Sequence, residues 1–182
     1  WWRVRWVAQQ RRGRAGGGWK RRIGQTWRGG HAAGMRYWEN LQVGERYGTA
    51  SHTVSAEEIV EFARRWDPQP FHTEPAAARG LFFGEHVASG WHTAAVSMRL
   101  MVQGEMQVAG GVIGHVIEEL RFPRPVRPGD TLRVVQELVE KSEFPTRPDH
   151  GRIKLRCRTF TQQGMVVQDM TANLIVARRP AG

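Results

Sequence analysis

Apolar and polar positions along the chain change their period twice. Residues 49–54 alternate briefly, and the spacing then lengthens to that of a helix: Ile59, Phe62 and Ala63 form one apolar stripe over residues 56–66. Ser55 stands before that stripe with Glu58 three residues on, a capping-box pattern, and Pro68 and Pro70 end the helix because proline cannot continue its ladder. A short helical turn is expected over residues 74–79, followed by a loop punctuated by Gly80, Gly84 and Gly90. Residues 91–103 contain neither proline nor glycine, and Trp91, Ala94, Ala95, Val96, Met98, Leu100, Met101 and Val102 surround the axis. A helix apolar on most sides is expected to be buried.

Beyond Gly110 and Gly111 the pattern becomes that of strands, over residues 112–122, 131–142, 152–160 and 165–177. Turn signals separate them at Pro128-Gly129-Asp130, Arg147-Pro148-Asp149-His150-Gly151 and Gln163-Gly164. Four consecutive strands with short connections predict an antiparallel sheet. The apolar helix needs cover, so the economical architecture is α+β, a curved antiparallel sheet wrapped around one long central helix.

Charge alters this picture only at the start of the chain. The formal net charge is +10 over 182 residues, yet residues 1–34 carry nine Arg or Lys and no Asp or Glu, which leaves 18 basic against 17 acidic residues from Met35 onward. A body so nearly neutral is not expected to track nucleic-acid phosphates. The first 34 residues hold five of the eight Trp and eight Gly, with only Val4, Val7 and Ile23 as branched aliphatics. A segment with so little to bury is expected to be disordered. Three readings compete for it: a stacking and charge platform for single strands, an organelle leader, or upstream sequence read through a start site placed too early. The first Met is Met35, where ordinary composition begins, and this favours the third. Residues 35–182 are then the functional domain.

Cys157 is the only cysteine, so no disulfide framework and no cysteine-based metal site is expected. No run reaches the roughly 18 apolar residues of a membrane span, and no secretory signal pattern is visible, so the expected setting is cytoplasmic.

Two constellations carry chemistry. Asp67-Pro68-Gln69-Pro70-Phe71-His72 sets a carboxylate and an imidazole five residues apart on a span stiffened by two prolines, equipment for moving protons near neutral pH. On spacing alone the signal is weak, and a loop aspartate capping backbone with a surface histidine is the better explanation. Ala88-Ser89-Gly90-Trp91-His92 leads into the apolar helix, where unpaired N–H groups and a glycine suit a developing oxyanion. Taken alone, an ordinary glycine-bearing loop before a helix is again the better explanation. His86 and His92 lack the spacing and acidic third ligand of a metal site, and Ser89 lacks a nucleophile elbow.

Taken together, these segments resemble the MaoC-like, (R)-specific enoyl-CoA hydratases of the hotdog superfamily. The first looks like that family's Asp-x-Asn-Pro-x-His motif. The second, with Gly90 eighteen residues after His72, looks like its small-residue lead-in to the central helix. A third, Phe122-Pro123-Arg124-Pro125-Val126-Arg127-Pro128-Gly129-Asp130-Thr131-Leu132, resembles its strand–turn–strand signature. The resemblance spans about residues 40–178. It implies a hotdog fold in a homodimer or higher oligomer, and reversible hydration of an enoyl thioester carried by CoA or an acyl carrier protein, within fatty acid metabolism. It also implies Asp67 and His72 as the acid–base pair, the Gly90 N–H as oxyanion donor, and Phe71, Ser89, Trp91 and Met98 against the substrate. No metal, cofactor, membrane or nucleic acid enters; CoA is present only as part of the substrate. Two positions depart from the family pattern: Gln69 replaces its Asn, and Met98, beside Ser97, occupies a helix position where the family often has a hydroxyl. These departures keep a hotdog thioesterase and a non-catalytic acyl-CoA-binding protein open as alternatives.

Overall fold

A computed structural model describes residues 35–180. The expectations for residues 1–34, disorder and an upstream origin, therefore lie outside the described residues. Strand β1 (Arg46–Thr53) leads into α1 (Ala56–Trp66), the single turn α2 (Pro70–Thr73) and the long helix α3 (Gly90–Gln103). Strands β2 (Ile113–Arg121), β3 (Thr131–Glu143), β4 (His150–Phe160) and β5 (Val166–Ala177) follow. All pairings are antiparallel, in the order β1-β3-β4-β5-β2. The fold is α+β, with α3 lying against β1, β3 and β5 on one face of the sheet as the hotdog arrangement requires.

Local chemistry explains the elements. The Ser55 hydroxyl accepts the Glu58 N–H at 3.2 Å while the Glu58 carboxylate accepts the Ser55 N–H at 3.0 Å, so the capping box starts α1 where the sequence places it. Ile59 and Ala63 point inward from that helix. In β3, Leu132, Val134 and Leu138 alternate inward with period two and meet Ile153, Leu155 and Cys157 of β4. Val167, Met170, Ala172 and Val176 of β5 complete this floor, and Leu100 and Met101 of α3 rest in the same cluster. Burial pushes the Cys157 thiol up to about 12, the behaviour of a small apolar core residue.

Three expectations change. β1 begins at Arg46, ahead of the alternating residues, because Arg46, Tyr47 and Gly48 already pair with Glu137, Gln136 and Val135. The turn expected at residues 74–79 is replaced by α2 and a 3₁₀ turn at Ala77–Gly80, with Pro70 at the first position of α2, where a missing N–H costs nothing. The largest change concerns α3. His92, Thr93, Ser97, Leu100 and Met101 are buried, but Trp91, Met98 and Val102 remain 63%, 51% and 67% exposed. One sheet covers one side of a helix, so an apolar stripe is left open along the other. Among the described residues, no helix is long and apolar enough to cross a membrane.

Candidate active site

The segment after α1 folds back on itself. Asp67 caps the helix, donating its N–H to Ala63 O at 2.9 Å. Pro70 then starts α2, whose single turn closes through His72 N–H to Gln69 O at 2.9 Å and Glu74 N–H to Pro70 O at 2.9 Å. This turn carries the imidazole back to the carboxylate: His72 Nε2 lies 3.5 Å from Asp67 Oδ2. The five-residue spacing and its prolines place the two groups together, as the motif requires.

Residues 86–88 strap α2 in place. The Val87 N–H reaches Phe71 O at 3.3 Å, His86 Nε2 donates to His72 O at 2.8 Å, and the Ala88 N–H bonds Val126 O at 2.8 Å. His72 is buried, and its Nδ1 sits 2.7 Å from Val87 O. A carbonyl only accepts, so Nδ1 carries a hydrogen, and Nε2 is the ring nitrogen turned toward Asp67. Phe71 stacks edge-on against the imidazole, with centroids 4.5 Å apart.

Both oxygens of Asp67 have donors. Oδ2 accepts the Ser89 hydroxyl at 2.6 Å, and Oδ1 accepts the Gln69 amide at 2.8 Å. Ser89 is also the N-cap of α3, its Oγ accepting the Trp91 N–H at 3.2 Å. Its hydroxyl is therefore committed inside the protein, against the carboxylate. The bond to Ser89 was not foreseeable from spacing: Ser89 and Asp67 are 22 residues apart and meet only when α3 packs beside α1. Gln69, a departure from the family pattern, does here what any side-chain amide of sufficient reach does.

One residue past Ser89, the Gly90 N–H makes no hydrogen bond among the described residues, as expected for the first turn of a helix. The space where a Cβ would stand is filled by the ring of Phe122, whose Cδ2 would lie 2.9 Å from it. Glycine thus admits a ring of the third motif against the helix start. The remaining candidates separate. Phe71 is half-buried in the pair's own wall, while Trp91 and Met98 lie on the open stripe of α3. Met98 brings no hydroxyl to the pair; the neighbouring Ser97 donates to Thr93 O at 2.7 Å and faces Thr159.

Other polar groups surround the pair at greater remove. His92 is buried and stacked on Phe62 with centroids 4.8 Å apart, and desolvation holds its pKa below the usual histidine range. Arg127 is held by Glu85 at 2.6 Å. A cavity of about 710 Å³ along α1 and one of about 320 Å³ between β1 and α3 contain none of Asp67, His72 and Gly90.

The arrangement sets a carboxylate and an imidazole beside an unpaired N–H at a helix start. The sequence model of the MaoC like domain matches residues 39–155. YdeM of Bacillus subtilis, an uncharacterized protein, is 30% identical over 145 residues, which cover 77% of this chain and 98% of that protein. The crystal structure of the MaoC-like dehydratase from Rhodospirillum rubrum superposes with a TM-score of 0.77 at 44% identity, covering 80% of this chain and 99% of that one. The (R)-hydratase PhaJ1 from Pseudomonas aeruginosa superposes with a TM-score of 0.62 at 27% identity, covering 79% and 86%. With the family match, the motifs and the hotdog sheet in agreement, the chain belongs to the MaoC-like domain family.

Proposed function

We propose that the protein reversibly hydrates an α,β-unsaturated acyl thioester to the 3-hydroxyacyl thioester, with CoA as the thioester carrier. The observation that carries this reading is the 3.5 Å separation of Asp67 Oδ2 and His72 Nε2 beside an unpaired Gly90 N–H. The proposed step uses Asp67 as a carboxylate and His72 with Nε2 unprotonated, a pair with no proton between them. A water molecule satisfies both by donating one O–H to each, which turns its lone pair outward toward the substrate. The water oxygen adds to Cβ, and His72 Nε2 takes one proton as general base. The resulting imidazolium is stabilised by the Asp67 carboxylate and returns the proton to Cα. Charge gathering on the thioester oxygen meets the Gly90 N–H, a donor fixed before reaction. The scheme adds H and OH across the double bond and calls for no metal or redox cofactor. The single thiol, buried and unpaired, fits a reducing, cytoplasmic setting.

The reading includes a homodimer. Trp91, Met98 and Val102 form an exposed apolar stripe on α3, and Ile113, Val116 and Ile117 are exposed on β2, a strand at one edge of the sheet. An unpaired apolar edge strand and an open apolar helix face are surfaces for a second copy. Light scattering on the full chain is expected to give twice the chain mass, and Ile117→Lys combined with Met98→Lys is expected to give the monomer. A monomeric parent protein would exclude the dimer.

The direct test is crotonyl-CoA hydration by the full chain, followed as loss of enoyl-thioester absorbance. Turnover is expected. Thiol release without hydration would instead assign a thioesterase. Binding without either reaction, across longer enoyl-CoA and carrier-linked substrates, would assign a non-catalytic acyl-thioester binder.

A further inference from the structure

The Asp67 carboxylate has donors on both sides, Ser89 Oγ–H at 2.6 Å on Oδ2 and Gln69 Nε2–H at 2.8 Å on Oδ1. The two come from different elements. Ser89 caps α3 and is 1% exposed, whereas Gln69 precedes α2 at the surface. Ser89 is itself oriented: accepting the Trp91 N–H at 3.2 Å uses a lone pair of Oγ and leaves its hydrogen for the carboxylate. A chain of donation therefore runs from the α3 backbone through Ser89 to Asp67.

We propose that Ser89 and Gln69 are the positioning residues of this site, a donor pair that fixes the Asp67 carboxylate in one orientation and keeps it the ionised member of the pair. A protonated Asp67 would turn a hydrogen toward one of its donors or toward His72, and the site would lose either a bond or the open acceptor that water needs. With both donors present, an oxygen lone pair on the His72 side is left as the one acceptor facing the imidazole. His72 is thereby the group that gains and loses the proton. The rate consequences rest on the hydratase reading; the assignment of the ionised member does not.

The groups around Asp67 set the background. His72 faces it from α2, held by Val87 O, and His86 reaches the His72 carbonyl from the strap. Arg64 and Arg65 lie in the last turn of α1, the guanidinium of Arg65 stacked 5.1 Å from the Trp66 ring centroid. From α3, His92 interacts with His72, and burial favours its neutral form. Arg79 ends the 3₁₀ turn beyond α2. None of these is altered by changing Ser89 or Gln69.

Removing a donor from a carboxylate weakens its ionised form, so its protonation moves toward neutral pH. The probe is the His72 ring, followed by NMR on the full chain labelled at histidine, because a neighbouring carboxylate prints its own step on the imidazole signal. Ser89→Ala and Gln69→Leu are each expected to move the acidic step up by about half to one unit, a three- to tenfold change in proton affinity. In turnover, each is expected to lower kcat about tenfold with little change in KM and to move the acidic limb the same way. Loss of rate with an unmoved step would mean that Ser89 only caps the helix and Gln69 only shapes the turn, and would overturn the proposal. Should Ser89→Ala fail to fold, Gln69→Leu leaves the cap untouched and decides alone. If the parent chain turns over no thioester while the step still moves, the hydratase reading fails and the donor pair stands.

Discussion

Asp67→Asn and His72→Ala are each expected to reduce kcat/KM for enoyl-thioester hydration by about 10²-fold or more, the scale of a lost general acid–base group. The two substitutions reach this loss by different routes, and that makes them informative together. Asn is nearly isosteric with Asp: its carbonyl can still accept the Ser89 hydroxyl, and the exposed Gln69 amide can rotate to meet its NH₂. The melting temperature of Asp67→Asn should therefore stay close to that of the parent. What is lost is the negative charge that holds the imidazolium and strengthens the acceptor facing His72. His72→Ala removes a buried ring, leaves Val87 O without its donor and deprives Phe71 of its stacking partner. It should lower the melting temperature as well as the rate. A folded Asp67→Asn that retains most of its turnover would remove the carboxylate from the chemistry and with it the water site between the acceptors. Steady-state rates on crotonyl-CoA, beside thermal melts of the same samples, read both effects.

Much of this was legible in the sequence, for physical reasons that also mark the limit. α1 was readable to the residue because Ser55, Glu58 and the apolar stripe act locally, and the prolines after it act on their own neighbours. The strands were readable because turn residues separate them, and the short connections of β3, β4 and β5 leave antiparallel neighbours; that β2 pairs with β5 and not with β3 was not readable from the turns. Asp67 and His72 were readable as a pair only through the family motif, since their spacing alone fits a capping aspartate and a surface histidine; the turn of α2 is what brings them together. Ser89 was visible as a member of the glycine motif, but its contact with Asp67 depends on how the start of α3 meets the end of α1, and no local periodicity encodes that. The exposed stripe of α3 was missed for a related reason. The apolar pattern around a helix reports that it will be covered, but not whether the cover comes from its own chain, and Trp91, Met98 and Val102 find none there. The two departures at Gln69 and Met98 also look different in three dimensions. Gln69 keeps a donor on Asp67, and the hydroxyl missing at Met98 is matched by one at Ser89, reaching the carboxylate from the helix cap.

Gly90→Ala is expected to cost about 10²-fold in kcat/KM, and its cause can be separated from its effect. Alanine is the better helix former by about 1 kcal/mol in a helix interior, and Gly90 is not among the glycines with positive φ, so the backbone does not oppose the change. The obstacle is the Phe122 ring, whose Cδ2 and Cε2 would stand 2.9 and 3.0 Å from the new Cβ. Real Cβ contacts are wider, so either the half-buried ring or the start of α3 must shift by several tenths of an ångström. A shift of α3 carries the Gly90 N–H away from the thioester oxygen and draws Ser89 away from Asp67. Small misplacements of an oxyanion donor and an acid–base pair are costly in rate. Phe122→Leu in the same chain makes room for the methyl, so the double variant is expected to recover melting temperature and most of the rate. Recovery of stability without recovery of rate would locate the fault elsewhere: the methyl would then be blocking the thioester itself, and Gly90 would be required for the approach of substrate rather than for the seat of the ring.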